Sequence, residues 1–166
     1  MNVAKAIELA AARVLRTYAT LGAGTSVRAW QSIPVDGSWD KDQDRTLPMI
    51  DVRCSPPSTG EAQSIMTADM LLLCRTKTDD DRDHAFISAM YGAVQGVCDS
   101  MFSQFRLGTD GDELTAFKAA LSSELGDTFN TASIGLTWGD SATPYEDGSE
   151  NVIGIGMIIH YSRTDF

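Results

Sequence analysis

The chain is poor in the residues that perform reactions. Among its 166 residues are two histidines, His84 and His160, and three cysteines, Cys54, Cys74 and Cys98. The cysteines are odd in number, far apart and set within apolar patterns. They read as small buried hydrophobes in a reducing, intracellular place of folding, not as disulfides or metal ligands. No nucleophile elbow of the G-x-S-x-G kind occurs, and no glycine-rich loop follows a strand to cradle phosphate. No apolar run approaches the ~18 residues that cross a bilayer. The N-terminus carries no signal-peptide pattern, because Lys5, Glu8, Arg13 and Arg16 interrupt any apolar block.

Positive charge is also scarce. Thirteen Lys and Arg stand against 23 Asp and Glu, giving a net charge of −10. Such a surface repels phosphate, which argues against sequence-independent nucleic-acid binding and against an anionic membrane. Acidity serves solubility, and it would equally suit the wall of a channel through which DNA slides without sticking. Apolar and charged fractions of 43% and 22% are ordinary for a globular protein, and residues 1–166 read as a single domain.

The organising stretch is Gln63–Arg106. A long strand, Ser64–Cys74, meets a polar turn at Thr76–Asp81. A helix follows in which Phe86, Met90, Val94, Val97, Met101 and Phe105 recur at steps of three and four. That spacing marks one buried face, and such a helix must cover a sheet centred on the preceding strand. Upstream, Asn2 is placed to cap a helix running to about Leu21, with Val3, Ile7, Ala11, Val14, Tyr18 and Leu21 as its stripe. A strand around Val27–Ile33 is followed by a long polar excursion, Pro34–Pro48. The next strand, Met49–Cys54, puts Ile50, Val52 and Cys54 on one face. Ser55–Gly60, with two prolines, reads as a turn that no strand crosses. Downstream, Leu114, Phe117, Leu121 and Leu125 predict a short helix closed by Gly126. Two strands, Thr128–Trp138 and Val152–Tyr161, form a final antiparallel pair around an acidic loop, Gly139–Asn151. The order α-β-β-β-α-α-β-β indicates an α+β fold: a mostly antiparallel sheet packed against a long amphipathic helix.

The chemistry-bearing residues have bland readings. His84 lies in a helix-capping region beside Asp79–Asp83, and His160 on the polar side of the last strand. Asp79, Asp80, Asp81 and Asp83 suit the positive end of a helix dipole, and consecutive residues fan outward instead of converging on a cation. Asp110–Glu113 lacks the alternating ligands of a calcium loop. Gly92 and Gly96 have the spacing for close helix contact, within the fold or between subunits. Gly154 and Gly156 leave one face of the last strand bare, for backbone packing against a helix or a bulge. Trp39, inside a polar loop, is covered either by its own domain or by a partner subunit.

Taken in order, these elements resemble a bacteriophage tail terminator, also called a tail-completion or neck protein. The likeness rests on the opening amphipathic helix, the strand and long polar loop ending Leu47-Pro48-Met49-Ile50-Asp51-Val52, and the long strand Ile65–Cys74. The acidic turn, the helix Asp83–Phe105 and the closing strand pair complete it. The resemblance implies a virion structural protein, assembled in the host cytoplasm, without active site, metal or cofactor. It implies a homohexameric ring that caps the tail tube, contacts the tube protein and a head–tail connector or neck protein, and lets DNA through unbound. A ring needs head-to-tail interfaces, for which Trp30, Trp39, Trp138 and Tyr145 are the candidates. Asp40, Asp42, Asp44, Glu146, Asp147 and Glu150 are the candidate acidic lining of its lumen. Two other classes compete: a small acidic module gripping a peptide with the Trp39 loop, and a metal-dependent hydrolase using His84 with Asp79–Asp83.

Overall fold

In the computed structural model, which describes residues 2–22, 24–32, 47–59, 64–77, 83–102, 110–126 and 131–162, Asn2 Oδ1 accepts the Lys5 amide at 3.0 Å. This cap starts α1 (Val3–Tyr18) as expected and is worth about 1 kcal/mol. Ala4, Ala6, Ala10, Ala11 and Ala12 are all buried along α1, and their small side chains let the helix lie close to the sheet and to α3. The remaining elements are β1 (Ser26–Ala29), β2 (Met49–Cys54), β3 (Ser58–Thr59), β4 (Ile65–Lys77), α2 (Asp83–Met101), α3 (Asp112–Leu125), β5 (Gly135–Trp138), β6 (Tyr145–Asp147) and β7 (Glu150–Ser162). The fold is α+β, with three helices and a seven-stranded, mostly antiparallel sheet among the described residues.

The sheet runs β1-β2-β4-β7-β5, so β4 is its centre, as the sequence suggested. β4 and β7, thirteen residues each, pair antiparallel along their whole length. β1 alone runs parallel to its neighbour, β2. Alternation decides which side chains go inward. Ile50, Val52 and Cys54, then Ala68, Met70, Leu72 and Cys74, then Ile155, Met157, Ile159 and Tyr161 join one core with all three helices. Each fully buried aliphatic there contributes about 1.5–3 kcal/mol. Met49, Leu73 and Val152 are also buried, but they point to the opposite face and lie outside that core.

Several expected boundaries differ, each for a physical reason. Ser55–Gly60 is not only a turn, because Ser58 and Thr59 pair with Thr67 and Met66. Ser55 still donates its amide to Asp69. Pro56 and Pro57 have no N–H, so pairing lapses there and resumes with one extra residue, as in a bulge. The strand expected at Val27–Ile33 stops at Ala29 and gives way to a 3-10 turn, Trp30–Ser32. The buried Glu8 carboxylate takes the Gln31 amide at 2.7 Å and draws the chain out of the sheet. Thr131–Ser133 is likewise a 3-10 turn, leaving only Gly135–Trp138 as strand.

The acidic loop expected between the last two strands is largely an edge. β6 pairs with the start of β7 across a two-residue turn in which Gly148 has φ 62°, the conformation glycine adopts most readily. Between β5 and β6 the chain arches over β7. Gly139 donates to the Gly156 carbonyl, and Gly154 donates to Ala142. A Cβ at Gly156 would fall on the Asp140 carbonyl, and one at Gly154 would lie 2.9 Å from Ala142 Cβ. The bare glycine face is therefore filled by the Asp140–Ala142 arch, not by a helix.

α2 is only partly the amphipathic helix expected. Met90, Val94, Val97 and Met101 are buried, and Phe86 is half-buried. Its outward side mixes small and polar residues: Ala85, Ser88, Ala89, Gly92, Gln95, Gly96 and Asp99 are exposed. Nothing lies within 4 Å of a Cβ built on Gly92 or Gly96, so neither brings another described element close. The helix ends at Met101; Ser103 and Phe105 lie outside the described residues.

Candidate functional site

The face of the sheet away from the helices carries a row of charges across five strands. Its base is Asp51 on β2, fully buried. Asp51 Oδ2 accepts from Arg53 Nε at 3.1 Å and Nη2 at 3.0 Å, and Oδ1 accepts from Arg28 Nε at 3.3 Å. Arg75 on β4 stands beside it, with Nη1 2.9 Å from Glu150 Oε2 on β7 and 3.4 Å from Asp147 Oδ2 on β6. Burial disfavours the Arg75 charge. The hydrogen bond and charge of Glu150, then Asp51 and Tyr145, outweigh burial and hold its pKa above the ordinary value. The charge is locked on, and the row is a fixed electrostatic brace.

At the β1 margin, Trp30 packs under this row. The Arg53 guanidinium lies 4.0 Å and that of Arg28 5.5 Å from its ring centroid, a cation–π arrangement that holds the ring half-open to solvent. On the other side of β1, the Arg16 guanidinium donates to the Val27 carbonyl. Glu8 secures the same corner from below, accepting from the Cys54 amide at 2.9 Å and Gln31 Nε2 at 3.0 Å. In the sequence Glu8 reads as an interruption of an apolar block, and Asp51 does not stand out. The signal available was Asp51 alternating with apolar neighbours in a strand that carries Arg53.

The expected contact residues fall at two margins. Trp30 is 39% exposed at the β1 margin. Trp138, 39% exposed, and Tyr145, 44% exposed, lie on β5 and β6 at the opposite margin. Trp138 stacks on Phe102 at the end of α2, ring centroids 6.3 Å apart. Glu146 and Asp147 are exposed on β6. Glu150 corrects the expectation of a lumen-facing acid, for it is only 4% exposed and spent on Arg75. Trp39, Asp40, Asp42 and Asp44 lie outside the described residues, as do Asp79–Arg82 and the side chains of Asp83 and His84.

The reactive groups that are described have quiet surroundings. His160 Nε2 lies 2.9 Å from Thr137 Oγ1 on the open face. All three cysteines are free and buried. Burial pushes each thiol up to about 12, with Glu8 and Asp69 adding to the effect at Cys54, and Cys98 adding to it at Cys74. Such thiols are poor nucleophiles and poor ligands. Among the described residues, no group of three or more His, Cys, Asp or Glu could hold a metal ion, and no helix is long and apolar enough to cross a membrane. A groove of about 390 Å³ opens between α2 and the β6–β7 hairpin, lined chiefly by Ile87, Tyr91, Pro144, Tyr145, Glu146 and Ile153. No protein-family model matches the chain, and neither does any curated protein.

Proposed function

We propose that this chain is a structural subunit that associates head-to-tail into a ring, a homohexamer, which caps a phage tail tube and joins it to the head or neck. The observation that supports this reading is the placement of exposed aromatics. Trp30 stands at one margin of the sheet, and Trp138 and Tyr145 stand at the other. Exposed aromatics on two different margins suit a heterologous contact, in which one surface meets the opposite surface of the next copy. The exposed alanines and glycines of α2 add area that a neighbour would cover. The element order adds its likeness to tail terminators, and the acids Glu146 and Asp147 suit a lumen that DNA must not adhere to.

Size-exclusion chromatography with light scattering tests the ring. A closed oligomer that loses mass on Trp30→Ala or Tyr145→Ala supports it. A monomer at every concentration, with or without the tube protein, opposes it.

A further inference from the structure

The groove between α2 and β6 adjoins an edge of β6 that pairs with no other described strand, and the two together have the form of a site for an extended chain. β6 closes its hairpin through the pair Asp147–Glu150. In a two-residue hairpin that closing pair exchanges both hydrogen bonds, so the next pair, Glu146–Asn151, exchanges none. The Glu146 N–H and C=O therefore aim away from β7, out of the sheet. Pro144 adds an outward carbonyl and no donor. Beside this edge lies the groove, with Ile87 and Tyr91 on its helix wall and Ile153 at its floor. Glu146 lines it too, is exposed, and has no ion-pair partner among the described residues. Arg75 is on the opposite face and committed to Glu150 and Asp147.

We infer that this groove takes an extended basic–apolar segment of a partner protein, added as a short strand along β6. The acid at the rim sets the sign of the partner. An Arg or Lys stem lies over Ile87 and Tyr91 while its head reaches the Glu146 carboxylate, which joins apolar cover to charge pairing in one side chain. The Glu146 main chain supplies the strand pairing, and alternate side chains of the segment enter the groove. The edge is only three residues long, so the affinity is modest, on the order of micromolar. The inference does not rest on the ring: the groove is formed within one subunit, and it shares Tyr145 with the proposed ring contact.

Fluorescence anisotropy with a labelled peptide alternating arginine and valine tests it on the full chain. The result expected is saturable binding that weakens as salt is raised. Glu146→Lys, which reverses the rim charge, and Ser88→Trp, which fills the groove, should each cost at least about tenfold in Kd. A peptide alternating glutamate and valine should not bind. Circular dichroism and an unchanged melting temperature establish that both variants fold. Absence of saturable binding overturns the proposal. So does equal binding by wild type and both variants, which would reduce the effect to net charge. Loss of self-association in Ser88→Trp without peptide binding by the wild type also overturns it, and assigns the groove to a second copy.

Discussion

Asp51 Oδ2 and Arg75 Nε stand 4.0 Å apart on adjacent strands, their side chains 0% and 4% exposed. At that distance they interact as charges, not through a hydrogen bond, and Arg75 Nε has no hydrogen-bond partner among the described residues. The pair joins two halves of one brace, Arg28 and Arg53 on one side, Glu150 and Asp147 on the other. Removing the Asp51 charge would leave the partly exposed Arg28 and Arg53 facing the buried Arg75. Asp51→Asn should therefore destabilise the fold by about 3–5 kcal/mol in urea unfolding. A loss below about 1 kcal/mol would mean that solvent reaches the row.

Glu8 makes a different prediction from the same reasoning. Its carboxylate satisfies two backbone amides, those of Gln31 and Cys54, inside the core corner. Glu8→Ala leaves both donors without partners and should cost about 3 kcal/mol. Glu8→Gln keeps an acceptor and should recover part of that loss.

Glycines at two places should respond with opposite sign. Gly156→Ala drives a methyl into the Asp140 carbonyl and should destabilise by about 1–3 kcal/mol, since backbone must shift. Gly92→Ala places its methyl in open space on an exposed helix, and should stabilise the isolated subunit by about 0.5–1 kcal/mol. If the outward side of α2 is a subunit contact, the same variant should weaken assembly while raising the melting temperature.

The thiols set a pH dependence. Cys54, Cys74 and Cys98 are raised from 9.0 to about 12 in the folded chain, so folding favours their protonated forms. That stabilisation is fully present below about pH 9, where the unfolded thiols are also protonated, and is lost as pH climbs toward about 12. At pH 8 the folded thiolate is therefore far rarer than the unfolded one. An aromatic disulfide reagent should react slowly with native protein and quickly in denaturant. Rapid native reaction at any cysteine would contradict its burial.

Much of the frame was legible because it obeys a period. Met70, Leu72 and Cys74, or Ile155, Met157 and Ile159, announce their strand by alternation, and Leu114, Phe117, Leu121 and Leu125 announce α3 by helical spacing. β3 and β6 announce nothing. One follows two prolines, and the other is Tyr-Glu-Asp, a composition that reads as loop; both are held by the long strands they pair with. Glu8 and Asp51 were opaque for a related reason. Glu8 depends on partners 23 and 46 residues away, and Asp51 on Arg28, 23 residues away, besides Arg53 two residues on; no local pattern reports the distant partners. At the margins Trp30, Trp138 and Tyr145 are exposed, whereas Glu150 is bound into the brace.

The central claim is that the two margins of this sheet meet in neighbouring copies. Its most direct test is the mass of the purified protein in solution by light scattering, beside images of the particles by electron microscopy. The account predicts a closed ring, a hexamer, that falls apart when Trp30 at one margin or Tyr145 at the other is replaced by alanine. A monomer throughout, or an oligomer indifferent to both substitutions, would contradict it.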